Sequence, residues 1–342
     1  MNTFWTGKRC VVTGGAGMIG HQLCRLLVEA GADVVAVDNL SRGRMSNLNG
    51  IDCEFVYADL TDIHSCNAIK GADAVFNLAA NVTGMHYNRL HHAEMFRSNM
   101  LLQMVPLWAA YMWNVPLFLQ CSTVCVYPHD MSYPVAEMEG HHGSPEPTNA
   151  GYGWAKRMGE KFAVWVKQAR PEMGIAITRF SNAFGPADYF DPETSHVIPA
   201  LIRRTLKDDV VKVYGTGNQI REFLYSEDAA IGAMKVLEHY AVGQPVNIGN
   251  PNNRISVRNL AYEIQRVMLY HYWIPQTKPL HFDTSIEDGY PRRGSHIARL
   301  KGATGWQPTT GLFEGLEKTI RWYLDNKYLV WEEIAQQCLQ WG

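Results

Sequence analysis

Tyr152 and Lys156, in the run "YGWAK", stand four residues apart and share one face if the segment is helical. A lysine ammonium beside a phenol favours the phenolate and lowers its pKa from the ordinary value of about 10. Such a tyrosine can exchange a proton with an alcohol or sugar oxygen while hydride moves to or from a nicotinamide. A five-residue match arises by chance, so the pair needs a dinucleotide site elsewhere in the chain. "VVTGGAGMIGHQL" offers one, with Gly14, Gly17 and Gly20 between an apolar run and an amphipathic one. Glycines so placed allow a tight turn, close approach to a pyrophosphate and close helix–strand packing, and the helix N-terminus offers free N–H groups to phosphate. "VDNLSRG" then brings Asp38 at about the ~20-residue interval this fingerprint asks for. A carboxylate there accepts from the ribose 2′-hydroxyl of NAD and repels the 2′-phosphate of NADP. Arg42 and Arg44 follow and could answer such a phosphate, so the expected cofactor is NAD, with NADP possible. Asp59, in "YADL", is expected to reach the adenine side. Met18, Ile19, Asn39, Leu60, Leu78, Ala79 and Ala80 complete the expected cofactor wall.

The elements that must position these residues follow from periodicity. Short β-branched runs occur at 9–14, 33–38, 53–59, 74–80, 116–123 and 175–182, separated by longer amphipathic stretches at 18–30, 97–113 and 150–169. Strands apolar on both faces and separated by helices predict an α/β fold with a doubly wound parallel sheet, whose ligands bind at the carboxyl ends of the strands. After Pro186 the rhythm changes to prolines, a strand at 210–217 and helices near 256–269 and 311–326. The expected division is a dinucleotide-binding domain over 1–185, to which 222–250 returns, and a smaller α/β lobe from 186–221 and 251–342.

A formal net charge of −2 gives no electrostatic reason to expect nucleic acid or anionic membrane. No apolar run approaches the roughly 18–20 residues that span a bilayer. Seven scattered cysteines, an odd number without a CxxC pair, suit a reducing cytoplasm better than a disulfide framework. The adjacent histidines at 91–92 and 141–142 lack neighbours at ligand spacing, so no metal is expected. Cys125, in "QCSTVCVYP", is either a small buried hydrophobe or a base. Strand alternation puts 121, 123, 125 and 127 on one face, so Thr123 and Cys125 would point together at one substrate, with Cys121 deeper and part of the core.

The chain resembles the extended short-chain dehydrogenase/reductases of the nucleotide-sugar epimerase group. The likeness runs through "TGGAGMIG", "NLAA", "STVCVYP", "YGWAK", "RFSNAFGP", "REFLYSEDAA" and "GWQP". "SHVIPALIRR", "YGTGNQIREFL" and "FDTSIEDGYPRR" are similar to the GDP-L-fucose synthases and their relatives, the GDP-mannose 3,5-epimerases. The resemblance implies that Thr123, where serine is commoner, completes the redox set with Tyr152 and Lys156. It implies that Cys125 and His196 are the acid/base pair that inverts C3 or C5 beside a C4 ketone. Asn182, Val197, Arg204, Arg221 and Arg292 (or Arg293) would contact the nucleotide-diphosphate sugar, and Met85 and His86 fall near the sugar pocket. For Arg221 the bland alternative is a salt bridge to Glu222. The family also pairs its helices at 97–113 and 150–169 across a two-fold axis, which implies a homodimer. Three enzymatic readings stay open: an epimerase that recycles its hydride, an NADPH-consuming epimerase/reductase on a 4-keto-6-deoxy sugar, and a simple C4 epimerase, which needs no Cys/His pair. A non-catalytic dinucleotide-binding regulator is the reading of another class.

Overall fold

A computed structural model describes the backbone of residues 3–128, 131–286 and 288–341, and the side chains of these except 85, 86 and 328–341. The first half alternates strand and helix: β1 (Arg9–Thr13), α1 (Gly20–Glu29), β2 (Asp33–Asp38), β3 (Glu54–Tyr57), β4 (Ala74–Asn77), α2 (Met85–Leu90), α3 (His92–Met112), β5 (Leu117–Thr123), α4 (Ala150–Ala169) and β6 (Gly174–Phe180). The second half is more broken: β7 (Asn182–Phe184), α5 (Val197–Lys207), β8 (Val211–Tyr214), β9 (Ile220–Tyr225), α6 (Ser226–His239), β10 (Val242–Ile248), β11 (Arg254–Ser256), α7 (Val257–Tyr270), β12 (Leu280–Asp283), α8 (Ala298–Thr304) and α9 (Leu312–Trp341).

Seven strands form one parallel sheet in the order β10-β6-β5-β4-β1-β2-β3. The order reverses between β1 and β4, which opens a crevice at the carboxyl ends of those strands. Leu23 and Leu27 of α1, Ala233 and Val236 of α6 and Leu300 of α8 bury against one sheet face. Leu107 and Ala110 of α3 with Ala163 and Val166 of α4 cover the other. Each fully buried large aliphatic contributes roughly 1.5–3 kcal/mol relative to exposure. That burial seats α1 and α4 on the sheet and aims their N-termini at its carboxyl edge. The doubly wound parallel sheet expected from the sequence is the fold observed.

The remaining strands stay outside this sheet. β11-β9-β7 form a three-stranded sheet and β12-β8 a two-stranded one. Phe184, Ile198, Leu201, Val213, Phe223, Ile264 and Leu316 share a separate core there. Between 222 and 250, β9 stays with the small sheet, while α6 packs beside α1 and β10 pairs with β6.

Candidate active site

One cleft of about 1040 Å³ runs from the glycine turn after β1 to the small sheets. Gly14, Gly17, Met18, Ile19, Gly20, Asp38, Asn39, Asp59, Leu60, Leu78, Ala79 and Ala80 line one end. Thr123, Cys125, Tyr152, His196, Asn182, Val197, Arg204, Arg221 and Arg293 line the other. The structure therefore gathers residues drawn from both halves of the chain into one site. Among the described residues, no cluster of three His, Cys, Asp or Glu stands ready for a metal, and no helix is long and apolar enough to cross a membrane. The side chains of Met85 and His86 lie outside the described residues.

The glycine turn is shaped by backbone contact. Gly14 has φ +67°, and a Cβ there would meet the Ala79 backbone at 3.1 Å. A Cβ on Gly20 would lie 2.0 Å from the Gly14 carbonyl oxygen. Only glycine fits at these two positions, which leaves the N-terminus of α1 open to a pyrophosphate. Asp38 closes the turn, since its Oδ2 accepts from Ala16 N–H at 3.1 Å and its Oδ1 from Leu40 N–H at 2.8 Å. Burial pushes its carboxyl up, and these N–H groups work in the opposite direction. The residues present thus fit a nicotinamide dinucleotide.

Beside Asp38, the Arg42 guanidinium lies 4.2 Å from the Tyr189 ring centroid. Its Nη2 is buried without a hydrogen-bond partner in the protein, and burial pushes its pKa down. Arg44 Nη2 donates to the Asp188 carbonyl at 3.4 Å. Through these contacts the loop after β2 grips the 188–189 turn of the other lobe.

β5 and α4 hold the redox group. Thr123 ends β5, and Tyr152 lies one turn before the fully buried Lys156 on α4. Lys156 Nζ donates to the Cys121 carbonyl at 3.0 Å, lies 2.8 Å from the Gln103 carboxamide and stands 5.8 Å from the Tyr152 ring centroid. The expected lowering of the phenol by this lysine is not what the structure gives. Burial pushes Tyr152 well above the usual phenol range, although a hydrogen bond with Thr123 opposes it. Burial also pushes the Lys156 ammonium down. For both groups the loss of water is the largest influence.

A single strand face carrying 121, 123, 125 and 127 also fails. Val124–Val126 is a 3₁₀ turn in which Thr123 Oγ1 accepts from Cys125 N–H at 3.3 Å. A threonine hydroxyl competes for the backbone in this way at strand ends. The turn sends Cys125 into the cleft and Tyr127 into the core, fully buried. Cys121 packs against the core, as expected, and also touches the cleft wall, and burial pushes its thiol up.

His196 caps α5 with its side chain 36% exposed, and its Nδ1 stands 3.8 Å from Oδ1 of the buried Asp188. Arg221 does not pair with Glu222, which bonds Arg254 at 2.7 Å. Arg221 donates to the carbonyls of Ile220 at 2.9 Å, Tyr290 at 2.7 Å and Asp288 at 3.2 Å. Burial and then the neighbouring Arg293 push it down to about 10. Arg204 stacks on Tyr214 at 4.4 Å and donates to the Lys212 carbonyl at 2.7 Å, and Asn182 donates to the Glu222 carbonyl at 2.9 Å. Arg292 is exposed, does not line the cleft and lies 5.9 Å from the Tyr133 ring centroid. The segment around it bridges Ile220, and successive side chains of an extended segment point opposite ways. Arg293 is therefore the inward arginine. Sequence reasoning missed Asp188 and Glu146, two isolated acids whose partners lie in distant segments.

The comparisons with known proteins bear on the family and the fold. A family model described as the NAD dependent epimerase/dehydratase family matches residues 10–249. A probable GDP-L-fucose synthase of Oryza sativa subsp. japonica is 31% identical over 328 residues, covering 94% of this chain and 93% of that protein. An epimerase from the methanogen Methanothermobacter thermautotrophicus superposes with a TM-score of 0.84 at 26% identity, covering 96% and 95% of the two chains. A GDP-L-fucose synthetase from Naegleria fowleri bound to NADP gives 0.77 at 23% identity over 94% and 96%, a likeness of fold. The glycine turn, the Tyr152–Lys156 helix and the family match over most of the chain lead to one statement: the chain belongs to the NAD dependent epimerase/dehydratase family.

Proposed function

We propose that the protein epimerises a GDP-sugar by way of a C4 ketone, with Cys125 and His196 inverting C3 or C5. The observation that carries this reading is that Cys125, His196, Thr123 and Tyr152 line the same cleft as the glycine turn. A nicotinamide dinucleotide, when bound, supplies the hydride acceptor for C4 and returns that hydride. Tyr152, hydrogen-bonded to Thr123, holds and moves the proton at the C4 oxygen. A carbonyl at C4 makes the protons on C3 and C5 acidic. One of Cys125 and His196 removes such a proton, the C–H electron pair moving onto the C4 oxygen, and the other returns a proton on the opposite face. Arg221 and Arg204 suit the diphosphate, because buried guanidiniums bind phosphate bidentately.

Asp38 in the cleft supports NAD, hence a hydride that returns to its own product. The second reading is a net reduction with NADPH on a 4-keto-6-deoxy sugar. The unpartnered Arg42 Nη2 favours it, and so does the likeness to a protein named as a GDP-L-fucose synthase. Incubation with GDP-mannose and with its 4-keto-6-deoxy derivative, with and without NADPH, in deuterated water separates the two. Deuterium at C3 or C5 without net cofactor use supports the first, and stoichiometric NADPH oxidation supports the second. No deuterium from either sugar removes the inversion chemistry altogether.

The described cysteines are all unpaired, which suits a reducing cytoplasm. Exposed Met104, Trp108 and Met112 of α3 lie beside exposed Met158 and Trp165 of α4, an apolar face suited to a homodimer. A sedimentation mass of one chain would remove that part.

A further inference from the structure

The sulfur of Cys125 faces a charged cluster that the inversion chemistry leaves unused. Arg293 Nη1 donates to Cys125 Sγ at 3.5 Å, and its Nη2 donates to Glu146 Oε2. The Arg293 side chain is 8% exposed and that of Glu146 2%, so water screens neither. Glu146 is itself held by Thr148 Oγ1 at 2.5 Å and Asn149 Nδ2 at 3.4 Å, both at the start of α4. Arg221 lies close enough to act on Arg293, Glu146 and Cys125. Tyr152 and Tyr290 are the other ionisable groups that feel the sulfur.

The contact with the sulfur gives the cluster its meaning. Two guanidiniums stand beside it, Arg293 held by Glu146 and Arg221 felt by Glu146 and Asp288. Of the two, Arg293 is the one that donates to Cys125 Sγ. Burial works against the charged form of Arg293, but Cys125 and Glu146 more than offset it and hold the guanidinium charged. Arg293 spends both Nη groups on Cys125 and Glu146, and its buried Nε has no partner in the protein.

We infer that Arg293, clamped by Glu146, is a positioning residue that steadies the sulfur of Cys125. This rests on the reading that Cys125 exchanges protons with the sugar. In that step the sulfur takes a proton from the carbon beside the C4 ketone. An S–H bond forms, the C–H pair moves onto the C4 oxygen, and Arg293 keeps the sulfur in place through both states.

The test uses the free enzyme and needs no substrate. Iodoacetamide alkylates a thiolate, forming a C–S bond with loss of iodide, and peptide mass spectrometry reads the rate at each cysteine. At neutral pH, Arg293→Met should slow alkylation of Cys125 about tenfold while the half-buried Cys53 keeps its rate. Arg293→Lys, which retains a charge, should recover part of the loss, and Glu146→Gln should show a smaller loss than Arg293→Met. If Arg293→Met does not fold, the Arg293→Lys and Glu146→Gln rates decide. An unchanged Cys125 rate in a folded Arg293 variant overturns the proposal, as does an equal fall at Cys53. Substrate KM in Arg293→Lys should stay near wild type, and a rise of KM alone would assign Arg293 to the diphosphate. If the wild type exchanges no deuterium with any sugar while the alkylation pattern holds, the inversion chemistry fails and the Arg293–Cys125 pairing stands.

Discussion

The residues proposed for the redox step and those proposed for the inversion meet at one cleft but are built differently. Thr123, Tyr152 and Lys156 come from β5 and α4, and a buried network through Ser122 of β5 and Arg179 of β6 ties α4 to the sheet. Arg179 donates to Glu160 Oε1 at 2.8 Å and Oε2 at 2.6 Å, to the Tyr127 hydroxyl at 3.1 Å and to the Glu137 carbonyl at 2.7 Å. Arg179 and Glu160 are 0% and 1% exposed, and Glu160 lies one helical turn beyond Lys156. Removing one partner of such a buried pair costs about 3–5 kcal/mol, so the register of α4 against the sheet is strongly held. Cys125, His196 and Arg293 instead come from a 3₁₀ turn, the exposed cap of α5 and a segment bridged to β9. On the proposed reading, hydride chemistry has a fixed wall, whereas proton transfer to a sugar carbon is assembled from both lobes. The difference teaches that the two half-reactions should be separable by mutation.

The largest break in that comparison should come from Tyr152→Phe. It removes the proton donor at the C4 oxygen and should slow hydride transfer about 10²–10⁴-fold, measured by single-turnover cofactor absorbance. On an alcohol substrate deuterium exchange must stop too, because no ketone forms to acidify C3 and C5. On a ready-made 4-keto sugar, exchange should persist near the wild-type rate. Loss of exchange on the ketone as well would show that the two groups are not separable.

Cys125→Ser should give the reverse pattern with a smaller loss. Exchange at the carbon it serves should fall about 10²–10³-fold, within the range for one acid/base group, while hydride transfer keeps its rate. Serine occupies nearly the same volume but is a far weaker base. Wild-type exchange in this variant would return Cys125 to the role of a small buried thiol.

The sequence revealed one of these groups more fully than the other. "YGWAK" and "TGGAGMIG" carry their geometry in their spacing, since a helix or a strand–turn–helix positions every member locally. The alternating runs likewise exposed the parallel sheet. Cys125 and His196 came from a resemblance alone, and no spacing could have joined them. The 3₁₀ turn at 124–126 was hidden because "TVCVY" reads as strand until Thr123 turns its hydroxyl back on the backbone. Glu146 and Arg293 are 147 positions apart, and only the bridge at Ile220 shows that Arg293, and not Arg292, points inward. The net upward push on Tyr152 was not legible, because sequence shows which charges are neighbours but not how far water is excluded.

The smallest expected effect lies where the two halves meet. Arg42 lines the cofactor end of the cleft and stacks on Tyr189, and the adjacent Asp188 faces His196 at 3.8 Å. Asp38 already spends both oxygens on backbone N–H groups, so it opposes a 2′-phosphate chiefly by charge. The unpartnered Nη2 of Arg42 is the donor that such a phosphate could use. Arg42→Ala should therefore weaken NADP(H) about tenfold, roughly 1.4 kcal/mol, and leave NAD(H) within about twofold, measured by fluorescence titration. Equal loss of both cofactors would mean that Arg42 only braces the turn through Tyr189. In that case deuterium exchange through His196 should fall with it, and the cofactor end and the inversion group would be one mechanical unit.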